Sequence, residues 1–230
     1  MKFYDMHIQP VEASIDEIID TAIEMKYEGI CIVVRPENFE RLEKAKNNQK
    51  PIKLYTGILI ETDNIDNMKK QINTYREKVD IIIVAGGNYK TNRTACENPK
   101  VDILAHPEKD RNDNGLDEIC LRAAKENNVA IEINFREILY SYRRLRTSLM
   151  QRISKNIHLC NELRVPMIIT SGAKTSWDMR QPRELISVAN LLGVELGHAF
   201  NMITIVPEEI LKTNKMKLEN KIISDGVEIV

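Results

Sequence analysis

Imidazole and carboxylate side chains stand where several predicted β-strands end. Asp5 and His7 close the first predicted strand, His106 follows the fifth, and Glu132 lies near the end of the sixth. The carboxyl ends of parallel strands form one face of a barrel, so these groups are predicted to share one rim. Such a set could bind metal ions that activate water. The predicted polar rim consists of Asp5, His7, Glu61, His106, Glu132 and His198.

The same residues could also be polar rim groups that hydrogen-bond to one another and to loop backbone. No His-x-His or His-x-x-x-His pair occurs in the sequence, so a tight metal-ligand motif is absent. We therefore predict a polar rim with no bound metal. A metal-dependent phosphoesterase remains the alternative function.

Positive charge is concentrated in the second half of the chain. Residues 136–183 hold ten Lys or Arg and three acids, whereas residues 1–30 hold two Lys and seven acids. Arginine binds phosphate through its planar fork, and Tyr140 and Tyr142 could stack on unpaired RNA bases. A solvated surface paired with the chain's own acids, or a surface for an acidic protein, would give the same pattern. We favour RNA contact, with the predicted RNA-binding residues being Arg35, Lys90, Arg93, Arg136, Arg143, Arg144, Arg146, Lys174 and Arg180.

The sequence "AGGNYKTNR" follows the fourth predicted strand. Its two glycines could cradle a phosphate, with Lys90 and Arg93 just behind them. No Walker-type Gly-Lys-Ser/Thr follows, and paired glycines more often allow a tight turn. The loop is therefore a weak phosphate-binding candidate.

Short β-branched runs alternate with segments of helical period, and this pattern predicts a parallel sheet wrapped by helices. Strand-like runs span 2–8, 29–34, 52–60, 81–84, 101–105, 130–134 and 167–170, with a weaker one at 202–206. Helical patterns include one capped by Ser14 and one ending at Gly193. Seven or eight such units predict an α/β fold, a parallel barrel similar to the TIM barrel. We expect a single domain over residues 1–230 with a C-terminal tail from about residue 207.

Composition places the chain among ordinary globular proteins, with 43% hydrophobic and 29% charged residues. No apolar run is long enough to span a bilayer, and the N-terminus lacks the apolar core of a secretion signal. The four cysteines show no Cys-x-x-Cys spacing, which favours reduced thiols. We expect a cytoplasmic protein that does not enter the membrane.

Several segments together resemble protein component 3 of archaeal and eukaryotic ribonuclease P. They are "YDMHIQP", "DILAHPEKD", "AIEINFRE", "ITSGAKTSWDMRQPREL" and "HAFNMITIVPEEIL", in this order and over nearly the whole chain. The resemblance implies a TIM-barrel-like fold distantly similar to PHP phosphoesterases. It also implies a subunit of the ribonucleoprotein endonuclease that removes the 5′ leader from precursor tRNA.

In that family the RNA subunit cleaves, so the resemblance implies no catalytic residue and no cofactor in this chain, with magnesium serving the RNA-based complex. The implied partners are ribonuclease P RNA, precursor tRNA and a small protein subunit, as a heterodimer or a dimer of heterodimers. PHP enzymes typically open with His-x-His, whereas this chain has Asp5 before His7, and Lys174 would repel a metal centre.

Overall fold

The computed structural model describes residues 1–10, 15–42 and 50–218, and the backbone of 222–224 and 227–228. Seven parallel strands, each hydrogen-bonded to the next in chain order, form a nearly closed barrel. They are β1 (Tyr4–Ile8), β2 (Gly29–Val34), β3 (Lys53–Ile60), β4 (Ile81–Ala85), β5 (Ile103–Ala105), β6 (Ala130–Asn134) and β7 (Met167–Thr170). The predicted fold class is confirmed.

Helices connect the strands and cover the outside of the barrel. They are α1 (Ile15–Glu24), α2 (Ile65–Tyr75), α3 (Tyr89–Cys96), α4 (Glu118–Glu126), α5 (Phe135–Tyr140), α6 (Arg143–Leu163), α7 (Pro182–Leu191), α8 (Leu196–Asn201) and α9 (Ile205–Leu218), with 3₁₀ turns at Pro36–Arg41 and Ser176–Asp178. Two short strands, β8 (Ile222–Ser224) and β9 (Val227–Glu228), pair antiparallel. No helix in the described part of the chain is long and apolar enough to cross a bilayer.

The strands are buried on both faces, as their uninterrupted apolar runs predict. One set of side chains, including Ile30, Ile32 and Ile58, packs against the surrounding helices. The alternate set, including Met6, Val33 and Ile83, fills the barrel interior. This two-sided burial holds the strand ends in fixed positions around the mouth of the barrel.

Between β1 and β7, the barrel is closed by the Asp5 side chain and by the loop that follows β7. Asp5 accepts hydrogen bonds from Ser171 N at 3.2 Å, and Gln9 N donates to Ala173 O at 2.8 Å. The β1 register is irregular between Asp5 and Ile8. The Asp5 carboxylate therefore replaces a backbone hydrogen bond between β1 and β7, and it is buried in this position.

The predicted strand over 202–206 is wrong. Met202 and Ile203 are buried in a turn after α8, and Ile203 O accepts from Tyr4 N at the start of β1. Pro207 lies in the first turn of α9, where its missing N–H and fixed φ suit a helix. The β-branched run at 202–206 thus fills a helix–helix junction.

The tail expected from about residue 207 begins inside α9, which covers the amino-terminal end of the barrel. Val206, Ile210 and Leu211 pack against the interior cluster. Asn214 Nδ2 donates to Asp80 O at 2.9 Å and to Asp102 Oδ1 at 2.8 Å. This part of the expected tail is a packed helix.

An ion pair between a half-buried guanidinium and a buried carboxylate lies at the same end of the barrel. Arg76 Nη1 lies 2.6 Å from Asp102 Oδ2, which also accepts from Ile82 N at 2.6 Å. Arg76 further donates to the carbonyl oxygens of Lys100, Val79 and Asp80. One guanidinium therefore ties α2 to the starts of β4 and β5.

Two predicted helix boundaries have different outcomes. Gly193 follows α7 with φ +111°, which confirms the predicted helix stop. The predicted cap at Ser14 lies outside the described residues.

Candidate functional site

Five of the six predicted rim residues lie in the barrel strands or directly after them. Glu61 and His106 directly follow β3 and β5 and line the mouth together with His7 of β1, whereas Asp5 and Glu132 lie inside β1 and β6 and do not line it. His198 is the exception: it lies exposed on α8, whose following turn binds the start of β1 at the other end of the barrel. Its prediction was wrong because the strand expected to carry the chain to the rim is not formed.

His7 and Glu132 form a buried pair. His7 Nδ1 and Glu132 Oε1 are 2.8 Å apart. The same carboxylate oxygen accepts from Thr170 Oγ1 at 2.5 Å and from Asn134 Nδ2 at 3.3 Å. Since the partners belong to β1, β6 and β7, the pair joins the two sides of the barrel opening.

Burial and charge act in opposite directions on these groups. Burial would raise the pKa of Glu132, but His7 outweighs it through charge and a hydrogen bond, so the pKa falls to about 2. Burial would lower the pKa of His7, yet Glu132 raises it above its ordinary value. Burial raises the pKa of Asp5 to about 6 despite bonds from Ser171 and His7, and burial lowers that of His106.

Replacing Glu132 with glutamine should move the His7 pKa from above 6.5 to below 6.5, because burial then acts with less opposition. Imidazole ¹⁵N shifts measured by NMR against pH test this. Glu162→Gln, beside the exposed His158, is the matched control and should leave His7 unchanged. An unchanged His7 titration in Glu132→Gln contradicts the proposed coupling.

The same pair gives a pH window for stability. Glu132 has a lowered pKa, so its contribution is complete above about 4.5 and is lost as pH falls toward 2. His7 has a raised pKa, so its contribution is complete below 6.5 and is lost as pH rises through its folded pKa. The pair therefore stabilises the fold most between these limits.

His7, His106 and Glu132 are the described residues that could hold a metal, with one ligand atom of each within 4.8 Å of the others. His106 Nδ1 and Glu132 Oε2 are buried without a hydrogen-bond partner. His7 has its Nδ1 against the Glu132 carboxylate, so its Nε2 is the ring nitrogen left for a metal. Lys109 and Lys174, which line the mouth with His7 and His106, would repel a metal ion held there.

Glu61 lies on the rim between two cations. Arg35 Nη2 donates to its Oε2, and Lys109 Nζ donates to its Oε1 at 2.9 Å. The hydrogen bond from Lys109 is the main cause of the lowered Glu61 pKa. Glu61 thus organises positive side chains and is not free as a metal ligand.

Arg136, Lys174 and Arg180 lie on the other side of the mouth, around the loop after β7. The Arg136 guanidinium stacks 4.2 Å from the centre of the Tyr140 ring, and its Nε lies 3.8 Å from Asp178 Oδ2. Arg180 stacks on Phe135 and donates to the Trp177 and Met179 carbonyls. Arg136 therefore lies beside one carboxylate, whereas no described carboxylate forms an ion pair with Arg180.

The loop after β7 needs Gly172 to reach this position. Gly172 has φ +62°, and a Cβ there would collide with the Asn134 side chain of β6. The close approach brings Lys174 to the mouth beside Arg136. The Ser171-Gly172-Ala173 sequence is therefore a positioning element.

Arg143, Arg144 and Arg146 stand in the first turn of α6. No acid lies in this turn, and the N-cap residue Tyr142 makes no side-chain capping bond. Arg146 donates to Ser141 O at 2.6 Å and to Leu139 O at 3.1 Å, so it also fixes the α5–α6 turn. Arg143 and Arg144 are exposed, and no described side chain forms an ion pair with either.

Lys90 and Arg93 lie on α3, beyond the glycine loop. Arg93 Nε pairs with Glu97 at 2.8 Å, while Lys90 is exposed. In the loop, Gly87 N donates to Asn92 Oδ1, and Gly87 has φ +117°. The glycines thus form a tight turn with an internally satisfied amide.

The positive segment 136–183 does not form one face. Helix α6 is about 30 Å long and carries Lys155 and Arg164 away from the mouth. Arg164 is the C-cap residue of α6, two residues before Pro166 and the start of β7. The beginning of α6 directly follows α5, whose Arg136 lines the mouth.

Sequence reasoning missed two residues of this surface. Lys109 follows His106 and lines the mouth. Trp177, the only tryptophan, is 87% exposed. The signal that could have identified Trp177 is that the single tryptophan of the chain falls within one of the motifs that carry the family resemblance. Its exposure could not be predicted, since tryptophan is usually largely buried.

The barrel and its mouth define a class of protein: a (β/α) barrel whose rim is crowded by cations. Histidinol phosphate phosphatase from Lactococcus lactis, solved with zinc, L-histidinol and phosphate, has 17% identity and a TM-score of 0.55, over 84% of this chain and 95% of that chain. At this identity the likeness concerns the fold alone.

More specific similarities follow the whole chain. The sequence profile of RNase P subunit p30 matches residues 2–219. Ribonuclease P protein component 3 of Methanosarcina barkeri is 31% identical over 217 residues, 93% of this chain and 90% of that protein. A chain in the cryo-EM structure of archaeal ribonuclease P with mature tRNA has a TM-score of 0.86 and 29% identity, over 98% of this chain and 97% of that chain.

The chain belongs to the RNase P subunit p30 family. The resemblance predicted from its motifs is therefore confirmed, and the main functional interpretation holds over the alternative of a free-standing phosphoesterase.

Proposed function

We propose that this chain is an RNA-binding protein subunit of a ribonuclease P, in which the RNA cleaves the 5′ leader from precursor tRNA. The observation that carries the RNA-binding role is the first turn of α6. Cations at a helix N-terminus oppose the helix dipole, and the uncapped amides there favour an anion. Arg143 and Arg144 are thus placed where they cost stability and where a phosphate would be bound.

Aromatic side chains beside these cations support contact with unpaired bases. Tyr140 and Tyr142 are 60% and 62% exposed, with arginines at 4.2 Å and 5.7 Å from their ring centres. Tyr140 Oη donates to Asp178 Oδ1 at 2.7 Å, which brings it next to the segment that carries Trp177. Exposed rings interleaved with arginine suit base stacking and backbone contact together.

Trp177 offers a direct test, because it is the only fluorescent indole in the chain. We expect ribonuclease P RNA to quench its emission, and Trp177→Ala to weaken RNA binding about tenfold, the loss of one stacked base. Filter binding measures the affinity. Tyr55→Phe, a change in a residue that packs against the barrel interior, is the control. Unquenched emission together with unchanged affinity contradicts the stacking contact.

Magnesium belongs, in this proposal, to the RNA-based complex, and this chain binds no cofactor of its own. The positive side chains that line the mouth support this, since each of Lys109, Lys174 and Arg136 would repel a cation there. We also propose a cytoplasmic location, which the four buried, unpaired cysteines support.

A small partner protein is proposed to bind where α7, α8 and α9 meet. Leu191, Leu196 and Ile205 lie on these consecutive helices and are 74%, 51% and 49% exposed. Exposed apolar side chains in neighbouring elements are typical of a protein interface. A heterodimer, or a dimer of heterodimers, is the assembly we propose.

Replacing Leu191 and Leu196 with serine should abolish co-elution with the purified partner subunit in size-exclusion chromatography and leave RNA affinity unchanged. Ile119→Ser, at an exposed apolar residue on α4, is the matched control. Co-elution that survives the double substitution contradicts this interface.

A further inference from the structure

The barrel mouth contains a cavity of about 70 Å³ with an excess of positive charge. Four cationic side chains and two carboxylates line it, in addition to the two imidazoles: Arg35, Lys109, Arg136 and Lys174, against Glu61 and Glu137. The cavity is distinct from the surface of Arg143 and Arg144, neither of which lines it.

The protein neutralises these charges unevenly. Arg35 and Lys109 share Glu61. Asp178 lies near Arg136, but its Oδ2 also accepts from the backbone amides of Lys174 and Thr175. The Lys174 ammonium donates no hydrogen bond to any described residue and forms no ion pair with one.

Unpartnered polar atoms also lie among these residues. Arg136 Nε is buried without a hydrogen-bond acceptor, and so is His106 Nδ1 without a partner. Burial lowers the pKa of Lys174, the nearby Arg136 and Arg35 lower it further, and Glu137 and Glu61 offset these effects only in part. A buried donor without a partner costs free energy that a ligand can recover.

These donors favour an anion over a metal ion. The free groups are an ammonium and a guanidinium N–H, which donate hydrogen bonds and cannot ligate a cation. Of the ring nitrogens of His7, only Nε2 is left for a metal, since Nδ1 lies against Glu132. A tetrahedral oxyanion would instead accept from Lys174 and Arg136 together, in the geometry that guanidinium and ammonium groups use for phosphate.

We propose that the barrel mouth binds one phosphate group, held by Lys174, Arg136 and Arg35. The inference rests on the proposed function for the source of the phosphate, because the RNA backbone supplies the phosphate groups that an RNA-binding subunit contacts. The site itself follows from the mouth, and a free phosphate ion would satisfy the same donors.

The test is a titration of the full-length protein with inorganic phosphate at constant ionic strength, followed through the NMR amide shifts of Gly172, Ala173 and Lys174. We expect saturable shifts that Lys174→Ala weakens at least tenfold. Lys125→Ala, at an exposed lysine on α4, is the matched control and should bind as wild type does. The Lys174 ammonium makes no contact that folding needs, so this variant should fold normally.

Shifts that do not saturate, or that are equal in Lys174→Ala, overturn the site. Stoichiometric binding of Zn²⁺ that phosphate does not alter also overturns it, in favour of a metal site. Addition of ribonuclease P RNA separates the sources: displacement of inorganic phosphate supports a backbone phosphate, and simultaneous binding supports a free ion. RNA binding without phosphate binding defeats this inference alone, whereas phosphate binding without RNA binding defeats the proposed function alone.

Discussion

Replacing Arg143 and Arg144 together with alanine is expected to weaken binding of ribonuclease P RNA about 100-fold at physiological salt. Each charged hydrogen bond to phosphate contributes about tenfold. The slope of log affinity against log salt should fall by about one to two, because fewer counterions are released. Filter binding over a series of salt concentrations measures both quantities.

The stability of this double variant separates a binding role from a structural one. Removing two cations from the start of α6 relieves an unfavourable interaction with the helix dipole, so the melting temperature should stay equal or rise slightly. Arg146 is left in place because its guanidinium holds two backbone carbonyls. Arg122→Ala, in an exposed pair with Glu118 on α4, should change neither property. Unchanged affinity and an unchanged salt slope contradict the RNA contact.

The second large effect concerns the closed end of the barrel. Arg76→Ala should lower the free energy of unfolding by about 3–5 kcal/mol, because the substitution leaves the buried Asp102 carboxylate without its cationic partner. Among the described residues, the Asp102 carboxylate would keep Ile82 N and Asn214 as donors. The Val79 carbonyl would lose the guanidinium, and the Asp80 carbonyl would keep Asn214. Urea unfolding followed by circular dichroism measures the change.

Arg93→Ala is the matched control for Arg76, since its partner Glu97 lies one helical turn away on the surface. Surface pairs of this kind contribute less than about 1 kcal/mol. A loss below about 1 kcal/mol in Arg76→Ala would show that the pair does not hold α2 against the starts of β4 and β5.

Seven strands could be predicted from the sequence because their apolar runs are short, β-branched and separated by helical periods. The eighth predicted strand, over 202–206, is not formed: Met202 and Ile203 are as apolar as a strand, but helix α9 follows them and has Pro207 and Glu208 in its first turn. Hydrophobic runs of this length do not distinguish a buried strand from a buried turn. Because this strand was expected, His198 was predicted at the carboxyl end of the barrel, whereas it lies at the other end.

The sequence places His7, Glu61 and His106 at or after strand ends, and in the structure these three line the mouth, but their partners could not be predicted. Nothing in the sequence indicates that Glu61 would pair with Arg35 and Lys109, or that His7 would pair with Glu132. These pairs join residues 26 to 125 positions apart, which only the closed barrel brings together. The number of positive residues in segment 136–183 also does not show where they lie, because α6 carries its later cations away from the mouth.

The proposed role depends most directly on which component cleaves. Precursor tRNA should be incubated with this chain and magnesium, with and without the ribonuclease P RNA and the remaining protein components. We predict leader removal only when the RNA is present, and no product from this chain alone even with added manganese or zinc. Leader removal by this chain without RNA, lost on replacing Glu132 with glutamine, would contradict a supporting subunit and identify the rim as a catalytic centre.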